Sequence, residues 1–191
     1  MRGWKRYGPV FLGAALAVGL QGCGGSEGPG SCPAGTSGVP PNCVTILPPC
    51  TQTTVRQESG PLDSRTLVYD DFSVPDSGRL DVTLDWTFAS SPMGFYLVPV
   101  NTCSLDEFNA RSCSFIIRSE PSNAKPRKIS QANFSAGNYR WIVANFAQVQ
   151  ESASLQIVLS KGSCPALAGA AAGAHDYARE DLPQIQRAVR R

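Results

Sequence analysis

The chain has a single histidine, His175, among 191 residues, and it contains no Gly-x-Ser-x-Gly, His-Glu-x-x-His or glycine-rich phosphate loop. Those absences argue against serine-hydrolase, zincin and nucleotide chemistry, each of which needs its nucleophile, ligands or backbone cradle at set spacings. Charge is scarce too: 17% of residues, 17 basic against 15 acidic, net +2. A nucleic-acid partner would require a basic stripe, which this composition lacks. The seven cysteines include no Cys-x-x-Cys pair, so a thiolate metal site is not indicated. No apolar run reaches the roughly 20 residues that span a bilayer as a helix.

The N-terminus reads as an address. Arg2, Lys5 and Arg6 precede the uncharged, mostly apolar run Pro9–Leu20, the layout of a secretory signal. The run ends Leu20-Gln21-Gly22-Cys23, which resembles the bacterial lipobox. That resemblance implies a signal peptide over residues 1–22, cleavage before Cys23, and acyl chains such as palmitate on Cys23. Removing the three N-terminal cations takes the net charge from +2 to −1. Lipidating Cys23 also leaves an even set of six cysteines, as an exported chain prefers. By resemblance to Gram-negative lipoproteins, Gly24 after the cysteine implies delivery to the outer membrane.

Residues 23–50 are rich in glycine and proline, too poor in large apolar groups to bury a core, and read as a tether. Residues 51–162 change texture. Leu80, Val82, Leu84 and Trp86 alternate with Asp81, Thr83, Asp85 and Thr87. Period two of this kind is a half-buried strand. Tyr139, Trp141 and Val143 alternate with Arg140, Ile142 and Ala144, a strand covered on both faces, and Leu155, Ile157 and Leu159 repeat the pattern. Shorter strands are expected over 51–58, 66–72, 95–100 and 114–118. Turn residues punctuate them at Ser59-Gly60-Pro61, Pro75-Asp76-Ser77-Gly78, Ser91-Pro92 and Ser135-Ala136-Gly137-Asn138. The expected fold is all-β: a jelly-roll-like antiparallel β-sandwich of about 7–8 strands. Residues 163–191 begin Ala-rich and end with Leu182, Ile185 and Val189 at loosely helical spacing, so a partly helical or disordered tail is expected.

Two segments carry a family resemblance. Phe72 to Trp86 (FSVPDSGRLDVTLDW) is similar to the early part of bacterial pre-peptidase C-terminal domains, and Ser135 to Phe146 (SAGNYRWIVANF) to their late aromatic strand, with Ala153–Ser160 as the closing strand. The resemblance implies a jelly-roll-like accessory module of secreted proteins. The acids which that family places before its central strand are replaced here by Ser90-Ser91-Pro92-Met93-Gly94. No metal and no cofactor are therefore expected.

Six cysteines permit 15 pairings, among which sequence alone does not select; proximity favours two pairs and leaves a third. Cys103 with Cys113 closes a loop between strands, Cys32 with Cys43 closes a turn-rich loop, and Cys50 with Cys164 ties the two ends of the sandwich. Disulfides imply an oxidising compartment. Among aromatics, Trp86, Tyr139 and Trp141 fall in the core register, whereas Tyr96 and Phe146 lie off it and are the candidate ligand-binding surface residues. Lys125-Pro126-Arg127-Lys128 reads as a solvated loop. Asp81 and Asp85 share a strand face but sit roughly 13 Å apart, too far to chelate one ion. The sequence thus points to a lipid-anchored envelope protein that is not an enzyme, a binding module for carbohydrate or a protein ligand. The alternatives are a structural or assembly subunit of an envelope complex and, more distantly, a hydrolase.

Overall fold

The structure is a computed structural model, and it describes residues 5–6, 32–39, 42–165 and 177–191. In chain order its elements are β1 (Lys5–Arg6), β2 (Thr36–Val39), β3 (Asn42–Thr45), β4 (Thr51–Leu62), β5 (Thr66–Val74), β6 (Gly78–Trp86) and β7 (Met93–Pro99). There follow α1 (Leu105–Ala110), β8 (Ile117–Ser122), β9 (Arg127–Phe134), β10 (Gly137–Asn145), β11 (Glu151–Lys161), a 3-10 turn (Arg179–Asp181) and β12 (Arg187–Arg190).

Two five-stranded sheets face each other, ordered β1-β4-β11-β6-β9 and β12-β5-β10-β7-β8. Without β1 and β12 the order is that of a jelly roll, successive strands crossing from one sheet to the other except β7 and β8, which are neighbours in the second sheet. The period-two strands supply the filling. Leu80, Val82, Leu84 and Trp86 of β6 and Leu155, Ile157 and Leu159 of β11 meet Val68 and Phe72 of β5, Phe95 and Leu97 of β7, and Trp141 and Val143 of β10. Register keeps these rows aligned: Trp141 lies between Asp70 and Leu97, and Leu155 between Glu58 and Leu84. A one-residue slip would turn each row to the wrong face.

Three elements differ from the sequence expectation. Strand β4 runs straight through Ser59-Gly60-Pro61, which the sequence marks as a turn. Among the described residues strand β1 pairs only with Glu58 and Ser59, so at Pro61 the outer side of β4 is an open edge, where a proline is tolerated because no amide donor is needed. The basic segment at 125–128 is not a solvated loop: Arg127 and Lys128 open β9, which pairs with β6, and Lys125 Nζ donates to the carbonyls of Trp86 and Thr87. The tail makes one 3-10 turn at Arg179–Asp181, as a partly helical segment would, but its end is a strand. Strand β12 pairs parallel with β5, Ile185 is buried, and Asn109 clasps Ile185 by two hydrogen bonds, Nδ2 to its carbonyl at 2.9 Å and its amide to Oδ1 at 3.0 Å. A strand wins here because β5 offers an open edge of unpaired backbone groups, and an isolated helix of this length gains little.

This tail and the β7–β8 connection together cover the outer face of the second sheet. They bury a second apolar cluster of Leu67, Tyr96, Val98, Phe108, Ile142, Phe146 and Ile185. The first sheet's outer face, by contrast, presents Ser154, Gln156 and Asp85. That asymmetry leaves the second sheet's outer side as the place where loops, a helix and an extra strand converge.

Candidate functional site

A groove of about 360 Å³ opens where these pieces meet on the outer face of the second sheet. Its floor is apolar, formed by Leu67 of β5, Ile142 of β10, Leu105 of α1 and Ala188 of β12. Its rim is polar: Asn101, Thr102, Ser104 and Glu107. Alternation explains the floor, since Leu67 and Tyr69 on β5 and Arg140 and Ile142 on β10 are the residues their strands turn away from the main core.

Arg140 is fixed rather than free. Its Nε and Nη2 donate to the Asp71 carboxylate at 2.7 and 3.2 Å, and its guanidinium lies 4.7 Å from the centroid of the Tyr69 ring. A two-pronged ion pair and a cation–π contact hold the planar group in one orientation. Hydrogen bonds from Arg140 hold the Asp71 carboxyl below its ordinary value, and the same bonds raise Arg140. Arg190 of the tail adds a second cation at 3.1 Å from Asp71.

The wall made by residues 100–113 is held in an unusual backbone shape. Asn101 and Cys103 have φ of 59° and 69°, the left-handed region. Asparagine tolerates that region; a cysteine there carries strain, and strain persists only where the surroundings over-determine it. Those surroundings are visible. The Cys103–Cys113 disulfide closes the loop, and Ser104 caps α1 through a reciprocal box, with Glu107 N donating to Ser104 Oγ at 3.2 Å and Ser104 N to Glu107 Oε2 at 2.7 Å. Phe108 packs edge-on against Tyr96 at 5.0 Å.

The candidate ligand residues of the sequence reading, Tyr96 and Phe146, are therefore corrected. They are 2% and 1% exposed and form the packing beneath the loop, where no ligand reaches them. They lie off the main core register because they serve the second cluster. Their sequence neighbours point to the groove only indirectly. The informative signal was the disulfide-bracketed loop 103–113 opposite a strand covered on both faces. The cysteines join as Cys32–Cys43, Cys50–Cys164 and Cys103–Cys113. Cys23 and His175 fall outside the described residues.

The acids predicted from sequence do not converge. Asp81 is buried on the first sheet's outer face, where burial raises its carboxyl but Arg79 and the hydroxyls of Ser130 and Ser160 outweigh that and hold it low. Asp85 faces Lys125 and Asp76 faces Lys161. Among the described residues no group of three or more His, Cys, Asp or Glu side chains is placed to hold a metal ion.

Acid dependence of stability follows from these carboxylates. Asp63, through a hydrogen bond from Gln150 and the nearby Arg187, joins Asp71 and Asp81 in titrating below its ordinary value when folded. A depressed folded value stabilises the fold above the unfolded value near pH 4, and that contribution disappears as pH falls through the folded values. The melting temperature is expected to hold from pH 7 to 5 and to fall by pH 3. Asp71→Asn makes the acid limb shallower. Identical melting curves at pH 7 and pH 3 would contradict this assignment.

No family model matches the chain, and no curated protein matches it. Among solved structures the chain is similar to a Yersinia pseudotuberculosis-derived mitogen, at 14% sequence identity and a TM-score of 0.38, over 65% of this chain and 96% of that one. A likeness of that degree carries no argument about function, so the reading rests on the groove itself.

Proposed function

We propose that this chain is a non-catalytic binding module of the bacterial cell envelope, exported, freed of residues 1–22 and with them of β1, acylated on Cys23 and held at the outer membrane, and that its groove takes a carbohydrate. The observation that carries the reading is the groove wall: a strained, disulfide-closed loop facing an immobilised guanidinium over an apolar floor. Sugars present just these two demands, a hydrophobic C–H face and a ring of hydroxyls, which the accessible Tyr69, Leu105 and Ala188 and the polar Asn101, Thr102 and Ser104 would meet. Arg140 donates to Asp71, so the pair offers oriented dipoles with its charge largely offset. The lipobox-like Leu20-Gln21-Gly22-Cys23 and the three disulfides support export.

The test is calorimetric titration of the purified chain against oligosaccharides of the bacterial envelope. Binding is expected, and Arg140→Gln weakens it about tenfold or more, as loss of one charged hydrogen-bonding group in a site does. Tyr96→Phe, beneath the loop, leaves it unchanged. Binding to no glycan, or binding indifferent to Arg140, would count against the reading.

A further inference from the structure

Between Glu27 and Arg56 the chain carries no charged residue at all. The described part of this stretch is not shapeless: β2 and β3 pair antiparallel as a separate two-stranded sheet, closed by Cys32–Cys43, and Ile46 N donates to Gly35 O at 2.9 Å. Val44, Ile46 and Leu47 project from it into water, 66%, 59% and 65% exposed. Single exposed apolar residues are ordinary, but three within four positions on a charge-free hairpin form a patch that marks an interaction surface. Pro48 then fixes the chain to the end of the sandwich where β11 stops, with Ser163 N donating to Pro48 O at 3.0 Å and Cys50 bonded to Cys164.

The position of the patch points to its occupant. Cys32 follows Cys23 by nine residues, a reach of about 30 Å at full extension. If Cys23 bears lipid, which is the reading proposed above, the hairpin lies within one tether length of the bilayer surface. We propose that the hairpin and Ile46-Leu47 form a membrane-contacting tip, whose three apolar side chains rest in the interfacial layer of the membrane that holds the lipid anchor. The chemistry matches a phospholipid surface of either charge. There is no charge to desolvate, the inward-facing amides of β2 and β3 are paired across the hairpin, and the disulfide holds the patch ready before contact. Such a tip adds a second point of attachment to the acyl anchor and fixes which end of the sandwich faces the membrane.

The experiment uses tryptophan reporters in the mature, acylated chain, in phosphatidylcholine vesicles with brominated acyl chains. The native Trp86 and Trp141 are buried and give a constant background. Ile46→Trp is expected to be blue-shifted and strongly quenched. Phe88→Trp, just beyond the far end of β6, is expected to be neither. Added Val44→Ser and Leu47→Ser abolish the quenching, and raising the salt concentration does not. Equal behaviour of Ile46→Trp and Phe88→Trp would overturn the proposal, as would quenching lost with salt; a protein occupant for the patch predicts that first outcome. Should mass analysis find Cys23 unacylated, the anchor reading fails separately. Its free thiol is then coupled to a maleimide lipid in the same vesicles and the two reporters are compared again, with the same outcomes deciding.

Discussion

Replacing Cys50 and Cys164 together by serine is expected to lower the melting temperature by about 10–20 °C. This disulfide joins residues 114 apart in sequence, tying the start of β4 to the end of β11. Those strands are neighbours in one sheet, paired from Thr51–Lys161 to Leu62–Glu151. Opening the bond frees the whole sandwich from a closure worth about 4–5 kcal/mol in the chain-entropy account. The surrounding geometry shows how tightly the junction is built: a Cβ on Gly162, which sits at φ +76°, would meet the Pro49 carbonyl at 2.2 Å. The two local disulfides close loops of only 11 and 10 residues' separation. Replacing Cys32 and Cys43 is therefore expected to leave the sandwich melting temperature nearly unchanged, since that bond serves the separate β2–β3 hairpin. A drop of less than about 3 °C for the Cys50/Cys164 double variant would show that strand pairing alone holds the ends.

Arg56→Met is expected to cost about 3–5 kcal/mol, read from urea midpoints. Arg56 on β4 points between the sheets and binds two carboxylates, Glu58 at 2.7 Å and Asp70 across on β5. Glu58 is 2% exposed. Without the guanidinium, two acids face each other in a space largely closed from water, and Arg190, 3.6 Å from Asp70, and the tail's half-buried Arg191 are the cations left nearby among the described side chains. Burial pushes Arg191 down while the Asp63 and Glu58 charges pull it up, so it is already engaged. The ion cluster is dispensable in principle even though its middle member is not. The triple change Arg56→Met, Glu58→Leu and Asp70→Leu is expected to recover most of the loss, because a well-packed apolar replacement of a buried ion network is often neutral or better. Equal destabilisation in the single and triple variants would show that packing volume, and not stranded charge, sets the cost.

The main core was legible because its strands obey period two against a wet or a covered second face. Leu80 to Trp86 alternates with acids and threonines, and Leu155 to Leu159 with polar partners, so each states its own inward side. The two local disulfides were legible from their short separations, and Cys50–Cys164 as the pair left over at the two ends of the sandwich. What the pattern could not state was that the outer face of the second sheet has its own cover. Alternation assigns a residue to one of two faces; it does not say whether the second face meets water or a loop. Tyr96 and Phe146 therefore read as surface, though a short helix and the tail bury them. Strand β9 escaped notice because only Ile129 and Phe134 are large apolar residues in it, and an edge strand needs no more. The tail was ambiguous for a related reason. Ile185 and Val189 are four apart, a spacing compatible with one helix face or with one strand face, and only the open edge of β5 decides. The helix was too short for a period to show, yet Ser104-x-x-Glu107 is its capping signature. The groove depends on all three of these missed pieces, which is why its floor could be read from β5 and β10 but its walls could not.

The proposed ligand is a saccharide seated in the groove between the 100–113 loop and β12. Chemical-shift mapping of the labelled chain during titration with envelope oligosaccharides tests it most directly. The account predicts that amide shifts concentrate at Leu67, Tyr69, Arg140, Ile142 and residues 101–107, with the added sugar recovered chemically intact. Shifts confined to the outer face of the first sheet, or cleavage of the sugar during the titration, would contradict it.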